Sequence, residues 1–360
     1  MTVPTVSVVI PCKASERTLG GTVESLLAQD YPGLVEVIVV GDAGDSSWGA
    51  ISAISDPRLV RIEHPAIAGR DCAAKRELGL ALASGEYLSV VDSDIEFDGG
   101  WLSRSLKLLS SADAECVAGG MRSLERDFWG RYVDDTRLGA KTPRLSREYV
   151  LTASNFGKRR TKPAVTANLV FTRSFYRAAA PDGRWNVGYE DYEWLWRVMD
   201  TGHRVLLSDE LTGLHHHRRS FGELVTEHTI AASGCAQFMK QYPSSPLARK
   251  RWIQAFLLPL AGLGAAMGAW LLLTAGLWPV VAAVAGVFLV GLMLYELTAS
   301  RRLESVLYPV IAGALGTWFL LVMLVNLFVP GPDMGSATRP HQRLSEPDVS
   351  DEPAPEFLVD

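Results

Sequence analysis

The chain has 360 residues, a formal net charge of -5 and four widely scattered cysteines. Mild acidity argues against a protein built to coat nucleic acid, so no nucleic-acid partner is expected. Cys12, Cys72, Cys116 and Cys235 make no CxxC pair and no zinc spacing, which excludes a structural zinc and points to a reduced, cytosolic setting for the soluble part.

The opening "MTVPTVSVVIPCK" lacks the basic and apolar regions of a signal peptide and reads instead as a first strand, with "VSVVI" at its centre. "RTLGGTVESLLAQ" places Leu19, Val23, Leu26 and Leu27 on one helical stripe. "VEVIVV" and "LVRIEH" predict the next two strands, "GRDCAAKRELGLALASG" a helix ending at Gly85, and "YLSVVD" a fourth strand. The helix "GWLSRSLKLLSS" and the strand "ECVAGGM" follow. Continuous apolar strands alternating with helices predict an α/β fold, a mostly parallel sheet with helices on both faces. Ligands of such sheets bind outside the carboxyl ends of the strands.

Two acidic clusters fall at such ends. Asp92 and Asp94, in "SVVDSD", directly follow an apolar strand. Carboxylates this close either form an acidic turn before the next helix or share a hard divalent cation, Mg2+ or Mn2+, with substrate phosphates completing its shell. Asp42 closes the second strand in "VIVVGDAGD"; it suits either an Asx-turn or a hydrogen bond to a nucleotide's base or ribose. No G-x-G-x-x-G opens a helix here and no P-loop is present, so neither a dinucleotide fold nor a P-loop is supported. Further along, Glu190 and Asp191 open a helix in "WNVGYEDYEWLWRVMDTG". They complement its dipole, and either one suits a general base. "HHHRRS" sets three histidines and two arginines at a strand-to-helix junction, suggestive of a metal ligand and of cations near phosphate.

Beyond Ile253 the composition changes. Apolar runs at about residues 253–276, 277–297 and 306–329 are each long enough to cross a bilayer core of roughly 30 Å. Arg249, Lys250 and Arg251 precede the first, and Arg301 and Arg302 separate the second from the third. The positive-inside rule therefore puts residues 1–245 in the cytoplasm, makes 246–330 a membrane domain, and leaves the acidic, Pro-rich residues 331–360 as a disordered tail on the far side.

In their order along residues 4–240, these motifs resemble the family 2 glycosyltransferases of the GT-A fold. "VSVVIPCKASERTL" is similar to the family's opening strand and helix, "GEYLSVVDSD" to its turn and DxD, and "NVGYEDYEWLW" to its ED-helix. The resemblance implies that Pro11, Asp42 and Asp92 contact the nucleotide, with Asp94 the more direct metal ligand beside Asp92. It implies Asp191 as catalytic base with Glu190 next to it, His215 as a metal or diphosphate ligand with His217 as an alternative register, and Asn168 and Arg122 as residues shaping the site. The chain departs from the family where Gly41 replaces the first of two acids and Glu77 a common Asn. It also lacks Q-x-x-R-W, with Ala248 where Gln would stand.

The activity so implied is inverting, metal-dependent transfer of one sugar from a UDP- or GDP-sugar to a lipid-linked glycan or polyprenyl acceptor at the cytoplasmic face of an inner or plasma membrane. The basic stretch "GKRRTK" suits anionic head groups or a lipid diphosphate. A processive synthase, a sugar nucleotidyltransferase and a non-catalytic membrane-tethered scaffold are the rivals.

Overall fold

The computed structural model describes residues 3–63, 72–138, 148–157, 166–185 and 187–330. The basic stretch from 158 and the acidic tail from 331 lie outside the described residues. The chain falls into two compact units, the first from Met1–Cys116 and Thr166–Asn186, the second from Val117–Val165 and Val187–Gly331.

In chain order the elements are β1 (Val6–Pro11), α1 (Leu19–Leu27), β2 (Leu34–Gly41), α2 (Ser47–Ile51), β3 (Leu59–Glu63), α3 (Cys72–Leu82), β4 (Tyr87–Val91), β5 (Ile95–Glu96) and α4 (Trp101–Ser111). Then come β6 (Cys116–Ser123), α5 (Phe128–Asp135), β7 (Tyr149–Leu151), β8 (Asn168–Thr172), α6 (Arg173–Ala178), α7 (Glu190–Asp200), β9 (Val205–His215) and α8 (Phe221–Gln241). Three long helices close the series: α9 (Pro246–Thr274), α10 (Trp278–Ser300) and α11 (Tyr308–Phe328).

In the first unit the strand order is β3-β2-β1-β4-β8. The β1–β2, β2–β3 and β1–β4 pairs are parallel, and β4–β8 is antiparallel. Every residue of β1 is buried, as expected of a central strand covered on both faces, and its one polar residue, Ser7, donates to Glu36 at 2.6 Å. Between β1 and β4 the order reverses, because the chain has wound outward to β3 before returning. Open α/β sheets bind ligands at such a switch point, outside the strands' carboxyl ends. Pro11, Asp42 and Asp92 stand there because each ends a strand or follows one directly.

In the second unit β6 neighbours β9, and β7 pairs antiparallel to β9. Its core joins α5, α8 and α11 through Tyr132, Val133, Leu224, Tyr308 and Leu315. The rings of Tyr132 and Tyr308 meet edge-on at 5.2 Å. α8 also presses on the entry to α7: a Cβ at Gly234 would lie 2.2 Å from the carbonyl oxygen of Gly188. Only glycine permits that backbone-to-backbone approach.

α9, α10 and the stretch from Leu303 to Phe328 are each long and apolar enough to cross a membrane. Near its end α10 carries a fully buried carboxylate, Glu296. It accepts from Thr136 Oγ1 at 3.0 Å and from the backbone N–H of Arg137 and Leu138 at 2.9 and 3.0 Å. Arg131 Nη2 donates to Glu304 at 2.8 Å just before α11. These polar contacts fasten α5 and the residues after it to the apolar helices. Glu296→Ala leaves three donors without their acceptor and should cost about 2–3 kcal/mol. Thermal unfolding in detergent reads this as a lowered midpoint; an unchanged midpoint would show that the contact contributes nothing.

Candidate active site

The first unit supplies a cluster of charges at its strand ends. Lys75, on α3, is fully buried. Its ammonium donates to the carbonyl of Cys12 at 2.7 Å and lies 3.1 Å from Asp42 Oδ1. One cation thereby ties the residue after Pro11 to the residue after β2. The next residue of α3, Arg76, is also buried and reaches Asp92 Oδ1 at 2.8 Å. The Ser15 and Ser93 hydroxyls meet at 2.7 Å, joining the loop after β1 to the D-S-D turn. The repulsion expected among Asp42, Asp92 and Asp94 is thus met by two cations from one helix turn. Asn168, buried on β8 opposite Val91, accepts from the Trp101 indole at 3.0 Å and so braces the strand leading into Asp92.

Gly41 has a packing cause. A Cβ there would lie 2.6 Å from Cys12 Sγ and 2.8 Å from the Trp48 ring, so Trp48 occupies the room an acid would need. The Trp48 indole N–H donates to the Asp42 carbonyl at 2.8 Å. Burial pushes the Cys12 thiol up to about 12, so it is a neutral packing group and not a nucleophile.

Among the described residues no three His, Cys, Asp or Glu side chains gather into a cage for a metal ion. A ready-made cage is not required of Mg2+ or Mn2+, which take one or two carboxylates plus substrate phosphates. The Asp92–Asp94 pair fits that donor set.

The second unit carries the remaining predicted residues. Glu190 and Asp191 form the first turn of α7. Tyr189 just before them has φ +62°, and Gly188 φ +80°. Left-handed backbone at a bulky non-glycine residue is held by surrounding contacts. Here Tyr189 stacks on Tyr192 at 4.1 Å between ring centroids. The turn thus fixes where both carboxylates point, and Asp191 Oδ1 accepts from the Tyr192 N–H at 2.8 Å.

The triple histidine begins at the last residue of β9, His215, and its side chains part there. His215 and His217 share one side, with their Nδ1 atoms 2.8 Å apart. His216 turns away, and its Nδ1 lies 2.9 Å from Glu125 Oε1, an oxygen that Arg219 Nη2 also reaches at 2.7 Å. Burial raises the Glu125 carboxyl, but hydrogen bonds from Arg219 and His216 outweigh it and bring the group down to about 2. Arg122 is exposed near the end of β6.

Lys75, Arg76, Trp48 and Glu125 are the contributors that the sequence reading did not single out. The available signal for the first two was "AAKRE", adjacent bases on a helix following strands that end in acids.

A parallel sheet wound in this order, with carboxylates and buried cations at its carboxyl edge, defines an α/β fold of the GT-A type. Residues 7–180 match the family "Glycosyl transferase family 2". Over this stretch, just under half of its length, the chain is similar to that family. It is 34% identical over 90 residues to the UDP-Glc:alpha-D-GlcNAc-diphosphoundecaprenol beta-1,3-glucosyltransferase WfaP of Escherichia coli, a match covering 25% of this chain and 35% of that protein. The chain thus spans little more than a third of the first curated relatives it matches. A longer match, 24% identical over 241 residues, covers 66% of this chain and 74% of glycosyltransferase AglE of Haloferax volcanii. In fold it is similar to the mannosyltransferase PcManGT of Pyrobaculum calidifontis, solved with GDP-Man and Mn2+. That likeness has a TM-score of 0.59 and 19% identity and covers 88% of each chain.

Two predictions follow from the geometry. Gly41→Asp should lower the thermal midpoint by several degrees through its clash with Trp48, and Gly41→Asp combined with Trp48→Ala should recover most of that loss. The depressed Glu125 carboxyl contributes stability that is fully present above its ordinary value near 4.5 and is lost as pH falls through about 2. Glu125→Gln should therefore flatten the acid limb of a stability–pH curve; an unchanged limb would show that the pairing with Arg219 and His216 is not felt.

Proposed function

We propose that the chain transfers one sugar, with inversion, from a nucleoside-diphosphate sugar to a hydroxyl of a lipid-linked acceptor at the cytoplasmic face of a membrane. The observation that carries this reading is the strand-end cluster, in which Lys75 and Arg76 hold Asp42 and Asp92 in place beside Asp94. Asp42, fixed by Lys75, orients the base or ribose of the donor. Arg76 supplies fixed positive charge beside the D-S-D turn, where a diphosphate is accommodated. A divalent cation held by Asp94 and Asp92 would neutralise charge on the leaving nucleoside diphosphate.

Asp191 accepts the proton of the acceptor hydroxyl. That oxygen forms the new bond to the anomeric carbon while the bond from carbon to diphosphate oxygen breaks and its electron pair departs with the nucleotide. Glu190 keeps the first turn of α7 acidic, and His215 with His217 serves the diphosphate. The name of the Escherichia coli relative describes an undecaprenol-diphosphate acceptor. That acceptor chemistry agrees with three apolar helices in the same chain as the catalytic unit. Basic residues flanking the helices favour a cytoplasmic catalytic unit.

The decisive assay titrates UDP and GDP, each with and without Mn2+, into the full chain in detergent. Metal-dependent binding should appear for one nucleotide and be lost in Asp94→Ala. Asp191→Asn should keep that binding and reduce turnover by a factor of at least 100. Lys75→Met should raise the KM for donor more than it lowers kcat, because it loosens Asp42 without touching the base. Binding of neither nucleotide by a folded sample would favour the scaffold reading, and repeated addition to one acceptor would favour a processive synthase.

A further inference from the structure

The third apolar helix differs from the other two in what it touches. Beyond Ala255, α9 and most of α10 expose apolar side chains all round, as helices surrounded by lipid do. α11 instead lies along α8 for its whole length. Leu224 and Leu315 share a core at one end. In the middle, the Trp318 indole donates to Thr229 Oγ1 at 2.8 Å, and Cys235 Sγ meets Met323 Sδ at 3.9 Å. At the far end, Lys240 Nζ donates to the carbonyls of Asn326 and Val329 at 3.1 and 2.8 Å, satisfying the helix's last acceptors.

α8 is not a membrane helix. Its 21 residues include Glu223, Glu227, His228 and Lys240, and Arg218 lies 3.9 Å from Glu227. Its opposite side packs on Gly188, at the entry to α7. A crossing α11 would draw all of this into hydrocarbon. Lys240 would travel to the far side, together with Tyr242, whose hydroxyl donates to Glu193 at 2.6 Å. Arg251, whose guanidinium stands 5.4 Å from the Phe319 ring centre, would sit near mid-bilayer. Charges at that depth are strongly disfavoured.

The ends of the α9–α10 hairpin give the orientation directly. A hairpin that crosses a membrane and returns has both ends at one depth. α10 hands over to α11 at Tyr308 through the short turn Leu303–Leu307. The other end, where the apolar run of α9 starts, lies beside Phe319 by way of Arg251. Positions 308 and 319 of α11 are about 16 Å apart along its axis, yet share a depth. The axis therefore runs along the membrane surface and not through it.

We infer that α11 is an in-plane helix: its outer stripe, Val310, Leu321, Val325 and Phe328, lies in the head-group and acyl boundary of the cytoplasmic leaflet. The partner of this face is the lipid surface on which the hairpin already stands. All four residues are exposed and apolar, and they recur at helical spacing on the side away from α8. The chain then crosses the membrane twice, and residues 331–360 stay on the side of the catalytic unit, in contrast to the three crossings expected from hydropathy. The inference rests on the membrane attachment proposed above and adds a function to it. α8 alone separates the lipid-contacting helix from the turn carrying Glu190 and Asp191, which sets the catalytic base about one to two helix diameters below the membrane surface.

The test uses the full chain in cells and in inverted vesicles, with single cysteines added at Ala275→Cys, between α9 and α10, and at Ser345→Cys, and the unsubstituted chain as background. A membrane-impermeant maleimide should label position 275 from outside and position 345 only in inverted vesicles. Labelling of both from outside would mean that α11 crosses, overturning the inference while leaving membrane attachment intact. Labelling of neither from outside would mean that the hairpin does not cross, which overturns both. Spin labels at Val310→Cys and Phe328→Cys give an independent reading. In-plane placement predicts equal, shallow immersion at the two sites, whereas a crossing helix separates them by about 27 Å in depth.

Discussion

The ammonium of Lys75 is the contact on which the catalytic edge depends. A parallel sheet ends with its strands side by side, so whatever follows them is crowded into one crevice. Acids placed there would repel one another and the carbonyls nearby. A buried cation from α3, bound at once to the Cys12 carbonyl and to Asp42, turns that crowding into an ordered site, and Arg76 repeats the device at Asp92. The anionic groups keep fixed orientations before any substrate arrives, as preorganised sites require.

The second unit uses a different constraint. The turn into α7 is held in left-handed backbone by stacked tyrosines on one side and the glycine face of α8 on the other. α8 in turn is held by α11. On the in-plane placement proposed above, contacts run from α11 through α8 to the turn carrying Glu190 and Asp191, so one line of packing sets both the membrane contact and the position of Asp191.

The sequence was most legible where one physical cause sufficed. Apolar runs placed β1, β2, β4 and the long helices, and acids after strand ends marked Asp42, Asp92 and Asp94. It was least legible where a residue's meaning depends on a distant partner. Lys75 and Arg76 look like the solvent face of α3 until the strand ends are in place. Three identical histidines cannot announce that the middle one turns to Glu125. Gly41 read as a lost acid, whereas Trp48, seven residues on, is what excludes one. Hydropathy ranks α11 with α9 and α10 and does not register that part of its apolar surface packs on α8.

Glu296 also imposes an order in time. The backbone N–H groups after α5 are synthesised with no acceptor nearby, and the carboxylate that receives them is made 158 to 160 residues later. At about 5–20 residues per second, that is an interval of roughly 10–30 s. Through it this part of the chain must be kept from collapse or cleavage with its polar groups in water. On the membrane attachment proposed above, this segment completes its hydrogen bonds only once α10 is made, so its folding and insertion of the hairpin would finish together.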